Sequence, residues 1–244
     1  MRKLVMLFLS TLFIVIGCSS ESITDEVIYN PVKEDIKSDS IGLNSYYKIL
    51  SLGDSYTIGQ SVCDTCSFPE QLKQKILGDF FEVKNIDLKI VAKTGWRTTS
   101  LINSLESLEI NENYNFVTLL IGVNNQFQGA SFEVYETEFP ELVNKAIRYT
   151  NGNANNVVVL SIPDYTYTPY GSNFSASEEI ATYNKFAKDY CIENGITFLN
   201  ITDITEQGLE HPELVADDDL HPSAFAYEKF VKRLLPLFVE KMTN

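Results

Sequence analysis

The residues with chemistry to offer stand far apart in the chain. An apolar run, Ile49, Leu50 and Leu52, stops at Gly53-Asp54-Ser55, as a short buried strand does where it leaves a sheet. Much later, "VADDDLHPSAF" places His221 behind three carboxylates, Asp217, Asp218 and Asp219. A serine hydroxyl is a weak nucleophile until a base takes its proton, and an imidazole suits that task. A carboxylate on the other ring nitrogen would orient the imidazole and stabilise its cation. Plainer roles stay open. Ser55 also suits a turn or a helix N-cap, His221 a surface position before a helix, and the acidic run a solvated loop or a cation site.

These groups need a scaffold that brings them together. Strand-like and helix-like segments alternate along the chain, the pattern of a parallel sheet covered on both faces. The spacing predicts strands at 46–52, 88–94, 115–121, 156–162 and 196–201. Helices are predicted at about 67–78, 98–108, 131–150, 176–194 and from Ser223 to about Lys241. Right-handed crossovers then give a doubly wound α/β fold, a three-layer α/β/α sandwich that is either Rossmann-like or flavodoxin-like. No G-x-G-x-x-G follows the first strand, so a dinucleotide has no evident cradle. The strand carboxyl ends carry Gly53-Asp54-Ser55, Thr94-Gly95-Trp96, Gly122-Val123-Asn124-Asn125 and Pro163-Asp164-Tyr165. All fall on the rim where open α/β sheets bind ligands. The G-x-S-x-G elbow of α/β-hydrolases does not fit, because Thr57 holds its second glycine position.

With these blocks in order, the chain from 46 to 244 resembles the SGNH hydrolases, the GDSL esterase/lipase family. The matching residues are Gly53-Asp54-Ser55, Gly95, Gly122-x-Asn124 and Asp218-x-x-His221-Pro222. Tyr56 stands where the family most often has leucine, and Asn125 where it commonly has aspartate. The resemblance implies a flavodoxin-like five-stranded parallel sheet of order 2-1-3-4-5. It implies Ser55 as nucleophile, His221 as base and Asp218 as its partner, chosen over Asp217 and Asp219 by the family's spacing. It further implies an oxyanion hole of the Ser55 and Gly95 backbone N–H groups and the Asn124 amide, with no metal or organic cofactor. Acyl-enzyme hydrolysis of an ester follows, with carbohydrate O-deacetylation, short-chain esterase, lysophospholipase and thioesterase activities all open. A non-catalytic binding lipoprotein retaining the fold is the alternative, motivated by the two departures. A metal-dependent hydrolase using Asp54, the acidic run and His221 is a third reading. Trp96, Tyr165, Tyr167 and Tyr170 are expected to wall the substrate pocket, since aromatics with polar tips suit sugar-like and acyl-like groups.

The remaining sequence speaks to compartment. The chain has 244 residues, 44% hydrophobic and 21% charged, which suits one globular domain. Residues 1–17 read as a secretion signal, with Arg2 and Lys3 ahead of an apolar run. Val15-Ile16-Gly17-Cys18 resembles the bacterial lipobox, which implies lipidation at Cys18 and an exported protein anchored to a bacterial membrane. Residues 18–45 are polar and acidic, a flexible tether ahead of the domain at 46–244. A net charge of −14 disfavours nucleic acid and anionic lipid as direct partners. Cys63 and Cys66 form a C-x-x-C without the second ligand pair that structural zinc needs, leaving a local disulfide or free thiols. Cys191 falls in an apolar helical stripe and is expected in the core.

Overall fold

The computed structural model of the protein describes residues 42–108, 110 and 113–243. The expected signal segment, Cys18 and the expected tether up to residue 41 lie outside the described residues. In chain order the elements are β1 (Tyr46–Gly53), α1 (Ser55–Ile58), α2 (Phe68–Asp79), β2 (Asn85–Ala92), α3 (Thr98–Ser107), β3 (Phe116–Leu120) and α4 (Val123–Phe127). There follow α5 (Phe132–Tyr149), β4 (Val157–Leu160), α6 (Ser177–Glu193), β5 (Thr197–Leu199), α7 (Thr202–Thr205) and α8 (Ala224–Thr243), with single turns of 3₁₀ helix between some of them.

The strands form a five-stranded sheet of order β2-β1-β3-β4-β5, parallel throughout. The three central strands are predominantly apolar, as strands covered on both faces are. Every residue of β3 and β4, and β1 from Ile49 onward, is buried. Two polar residues in this interior, Ser51 and Thr118, satisfy each other at 2.9 Å. The edge strands β2 and β5 are only partly buried. Burial of each large aliphatic side chain contributes about 1.5–3 kcal/mol, so the middle of the sheet is the most firmly held part.

Helices α2 and α8 pack on each other, and α5 packs between α3 and α6. Right-handed crossovers in this strand order put these two groups on opposite faces, completing the three layers. Between α5 and α6 the contact is aromatic, with Tyr135 4.6 Å and Phe132 4.9 Å from Tyr183 between ring centroids. α8 begins as its sequence suggests, with the Ser223 hydroxyl accepting from the Ala226 N–H at 3.2 Å. α6 ends before Gly195, whose left-handed φ of 67° lets the chain turn into β5.

Strand pairing sets the working edge. Gly53 lies opposite Ala92 and Leu120, so β1, β2 and β3 end level. β2 runs from Asn85 to Ala92 and not over 88–94, because it pairs with the whole of β1 starting at Tyr46. The one-turn helices α1, α4 and α7 escape sequence reading, since four or five residues show no period. Cys63 and Cys66 are joined by a disulfide. Cys191 is buried, and burial pushes its thiol up to about 12.

Candidate active site

The rim begins with the turn out of β1. A Cβ at Gly53 would stand 2.1 Å from the Thr57 hydroxyl and 2.4 Å from the Leu120 carbonyl oxygen, so only glycine fits where the chain reverses into α1. Asp54 caps that helix, its carboxylate accepting the Tyr56 N–H at 3.0 Å. Burial pushes the Asp54 carboxyl up to about 7, although the Tyr56 N–H and the Asn124 amide pull it down. Ser55, the first residue of α1, is 4% exposed. At that position its backbone N–H has no acceptor within the helix.

After β2 the chain turns at Gly95, where φ is 78°, a left-handed conformation that glycine adopts without strain. After β3, Gly122 leads into α4, and Asn124 donates to Asp54 Oδ2 at 3.3 Å. One turn on, Gln128 Nε2 donates to the Gly95 carbonyl at 2.8 Å and lies 3.5 Å from Asn124 Oδ1. It therefore ties the glycine turn to the asparagine.

Asn125, one of the two departures noted in the sequence, is fully buried. Its Oδ1 accepts the Thr98 N–H at 3.0 Å and its Nδ2 donates to Thr98 Oγ1 at 2.7 Å. Thr98 Oγ1 in turn donates to Glu138, which also accepts from Thr99 Oγ1 at 2.7 Å. The amide thus pins the start of α3, with an acidic acceptor supplied by α5.

The imidazole enters from the turn before α8. His221 is 7% exposed. Its Nδ1 lies 2.6 Å from Asp218 Oδ2, and its backbone N–H donates to Asp218 Oδ1 at 2.9 Å. Leu220 N–H donates to the same Oδ1 at 3.1 Å, and the Ser61 hydroxyl to Oδ2 at 2.6 Å. Burial works to raise the Asp218 carboxyl, but these bonds from Ser61, His221 and Leu220 outweigh it and hold it down at about 2. Asp218, not Asp217 or Asp219, meets the ring. Tyr56, in place of leucine, packs its ring 5.1 Å from that of His221. Burial, with Asp54 and Asp218 nearby, raises its phenol, which stays protonated.

These groups share one cleft of about 230 Å³, lined by Ser55, Tyr56, Gly95, Asn124, Tyr165 and His221 together with Thr94, Val123, Phe127, Gln128 and Leu220. The Ser55 hydroxyl makes no hydrogen bond among the described residues, and serine–base contacts commonly close only when substrate arrives. Of the aromatic residues expected in the wall, Tyr165 is there. Trp96 does not line it, and packs half-buried against the hydrophobic core just before α3. Tyr167 and Tyr170 also lie off the cleft, 38% and 48% exposed. Tyr170 stacks on Phe174 with centroids 6.0 Å apart, and Phe174 reaches Phe127 at 6.0 Å and Tyr165 at 5.8 Å. An open aromatic shelf therefore continues from the cleft mouth. Sequence reasoning missed Phe127 and Gln128, although a helical turn through Asn124 brings positions three and four residues on to its side. His211 pairs with Glu213 on the surface at 3.2 Å, away from the cleft. Among the described residues no group of three or more His, Cys, Asp or Glu could hold a metal ion.

The model of the GDSL-like lipase/acylhydrolase family matches residues 51–229. The fold is similar to that of a lipase/acylhydrolase from Enterococcus faecalis, at a TM-score of 0.64 and 15% identity over 80% of this chain and 97% of that one. It is similar to an acetyl xylan esterase variant from Geobacillus stearothermophilus, at 0.63 and 16% over 80% and 96%. A psychrotrophic esterase from Pseudoalteromonas sp., solved inhibited by monoethylphosphonate, gives 0.57 and 18% over 81% and 100%. No curated protein matches the chain.

Proposed function

Because the chain belongs to the GDSL-like lipase/acylhydrolase family, and so is an ester-bond hydrolase, we propose that it is a serine esterase in which Ser55, His221 and Asp218 act together. The observation that carries this reading is the Asp218–His221 pair at 2.6 Å with its ring on the cleft that Ser55 also lines. Nδ1 is engaged by Asp218, so Nε2 is the atom left to exchange protons with the serine. Ser55 Oγ attacks the acyl carbon as His221 takes its proton. The charge that develops on the former carbonyl oxygen meets the N–H groups of Ser55 and Gly95 and the Asn124 amide. His221 then gives the proton to the departing alkoxide, leaving an acyl-enzyme. Water, deprotonated by His221, attacks the acyl carbon, and the acid leaves as Ser55 recovers its proton.

The substrate class that best fits is a short acyl ester on a carbohydrate. The cleft of about 230 Å³ is below the roughly 300 Å³ at which ordinary ligand pockets begin, which suits acetyl over a long acyl chain. The shelf of Phe127, Phe174 and Tyr170 offers open ring faces to the apolar side of a sugar. One of the similar folds is an acetyl xylan esterase. We further propose that the enzyme is exported and held at a bacterial membrane through lipid on Cys18, which metabolic labelling with a fatty acid and its loss in Cys18→Ser would test. Among the described residues no helix is long and apolar enough to cross a membrane.

The deciding experiment is a fluorophosphonate label with p-nitrophenyl esters from acetate to decanoate, on the full-length chain and Ser55→Ala. Labelling at Ser55 and turnover that falls steeply with acyl length are expected. A folded parent that neither labels nor turns over would refute the esterase reading, and preference for decanoate would refute the short-acyl one.

A further inference from the structure

Ser61 is a polar residue beside the rim that the mechanism above leaves unused. It follows α1, and its backbone sits in the left-handed region with φ 65°, which a serine adopts only under constraint and glycine would adopt freely. Its hydroxyl donates to Asp218 Oδ2 at 2.6 Å, the very oxygen that lies 2.6 Å from His221 Nδ1. The Asp218 side chain is 29% exposed, so water has access to this carboxylate, and its orientation depends on the donors around it.

The segment carrying Ser61 is tied on every side. Thr94 Oγ1 donates to Gln60 Oε1 at 2.6 Å, and Val62 N–H reaches the Gly59 carbonyl at 3.3 Å. The disulfide closes the chain just beyond, between Cys63 and Cys66. Gln71 Nε2 then joins the Cys66 carbonyl at 2.7 Å to the Ala224 carbonyl at 2.9 Å, fixing this loop to the start of α8. His221 lies just before that same helix.

We infer that Ser61 is a positioning residue for Asp218: the turn it occupies, anchored beside the Cys63–Cys66 disulfide, places its hydroxyl on the carboxylate, which then keeps the rotamer that orients His221. The inference rests on the serine-esterase reading. It accounts for three features that reading does not use: the left-handed serine, the C-x-x-C and the second donor on Asp218 Oδ2. The low Asp218 carboxyl is consistent with it, since Ser61 is among the groups that hold it down.

Ser61→Gly separates positioning from folding, because glycine suits the backbone while deleting the hydroxyl. In the full-length chain, Ser61→Gly and Ser61→Ala should each lower kcat for p-nitrophenyl acetate about 10-fold, the loss of one charge-assisted hydrogen bond. KM should stay within about twofold, and Ser61→Gly should still unfold cooperatively within a few degrees of the parent, relief of the left-handed backbone offsetting the lost bond. Replacing Cys63 and Cys66 together by serine should lower kcat about threefold in the parent and not further in Ser61→Gly, the signature of coupled sites. A Ser61→Gly enzyme with the parent's kcat, or one whose loss of kcat follows a loss of folded protein, overturns the positioning role. An equal effect of the cysteine change in both backgrounds overturns the part given to the disulfide. Failure of the parent itself to label with fluorophosphonate or turn over overturns the esterase reading, and this inference with it.

Discussion

The two sides of the cleft are built on different principles. Ser55, Gly95 and Asn124 hang from the ends of β1, β2 and β3, two of them central strands whose inner residues are shut away from water. Their places are inherited from apolar packing, reinforced by a glycine without room for a side chain and by the Asn124–Asp54 bond. His221 and Asp218 sit in a surface turn closed by a Val215–Pro222 bridge and by the Ala216 N–H on the His221 carbonyl at 2.7 Å. Polar bonds do there what packing does on the other side. The nucleophile side should therefore resist loss of single hydrogen bonds in its geometry, while the base side should depend on each one.

That contrast can be broken or sharpened in four ways. The largest effect is expected on the base side, where Asp218→Asn should cost roughly 10³–10⁴ in kcat. Asp217→Asn and Asp219→Asn should stay within about twofold, by the general behaviour of surface substitutions. Steady-state kinetics on acetate esters would measure this, and an equal loss at either neighbour would dissolve the assignment of Asp218.

Next comes the buried acid on the nucleophile side. The folded-state carboxyl of Asp54 is raised from 3.8 to about 7. Folding therefore retains a proton that the unfolded chain releases, and Asp54's contribution, complete below pH 4, is lost as pH rises to 7. Asp54→Asn cannot lose it, so the variant should gain on the order of 4 kcal/mol relative to the parent across that window. Urea unfolding at pH 4, 5.5, 7 and 8 would show it, and parallel stability curves would count against it.

Asn124→Ala removes one of the proposed oxyanion donors and should lower kcat roughly 10²-fold, with KM little changed and the unfolding temperature nearly intact. A large fall in stability would mean that Asn124 holds the rim together, against the packing argument. The smallest effect belongs to the shelf. Phe174→Ala should raise KM for an acetylated oligosaccharide about threefold and leave p-nitrophenyl acetate unaffected, and an equal change for both would place Phe174 in the acyl site.

Much of this was legible in the sequence, and the contrast explains which part. β1, β3 and β4 announce themselves as apolar runs, and the long helices by their period, so the layered fold and the residues at its strand ends followed directly. Asp218 was singled out among three neighbouring carboxylates by the family's spacing to His221, and it is the one whose Oδ2 lies 2.6 Å from His221 Nδ1. The bond from Ser61 was not legible, because its partner lies 157 residues away across two separate loops. Nor was the pocket wall. Trp96 and Tyr165 are both aromatic residues just past a strand and both pack with the hydrophobic core, yet only Tyr165 also lines the cleft. Loop side chains carry no periodicity to say which.

The chain of bonds from Asn125 through Thr98 to Glu138 has an evolutionary consequence. An aspartate at position 125 would accept the Thr98 hydroxyl proton itself and leave the Glu138 carboxylate without that donor. Relatives with aspartate there should have shed the acid at 138, and those with asparagine should have kept it. The two positions, on different helices, are therefore expected to change together, which an alignment of relatives would test.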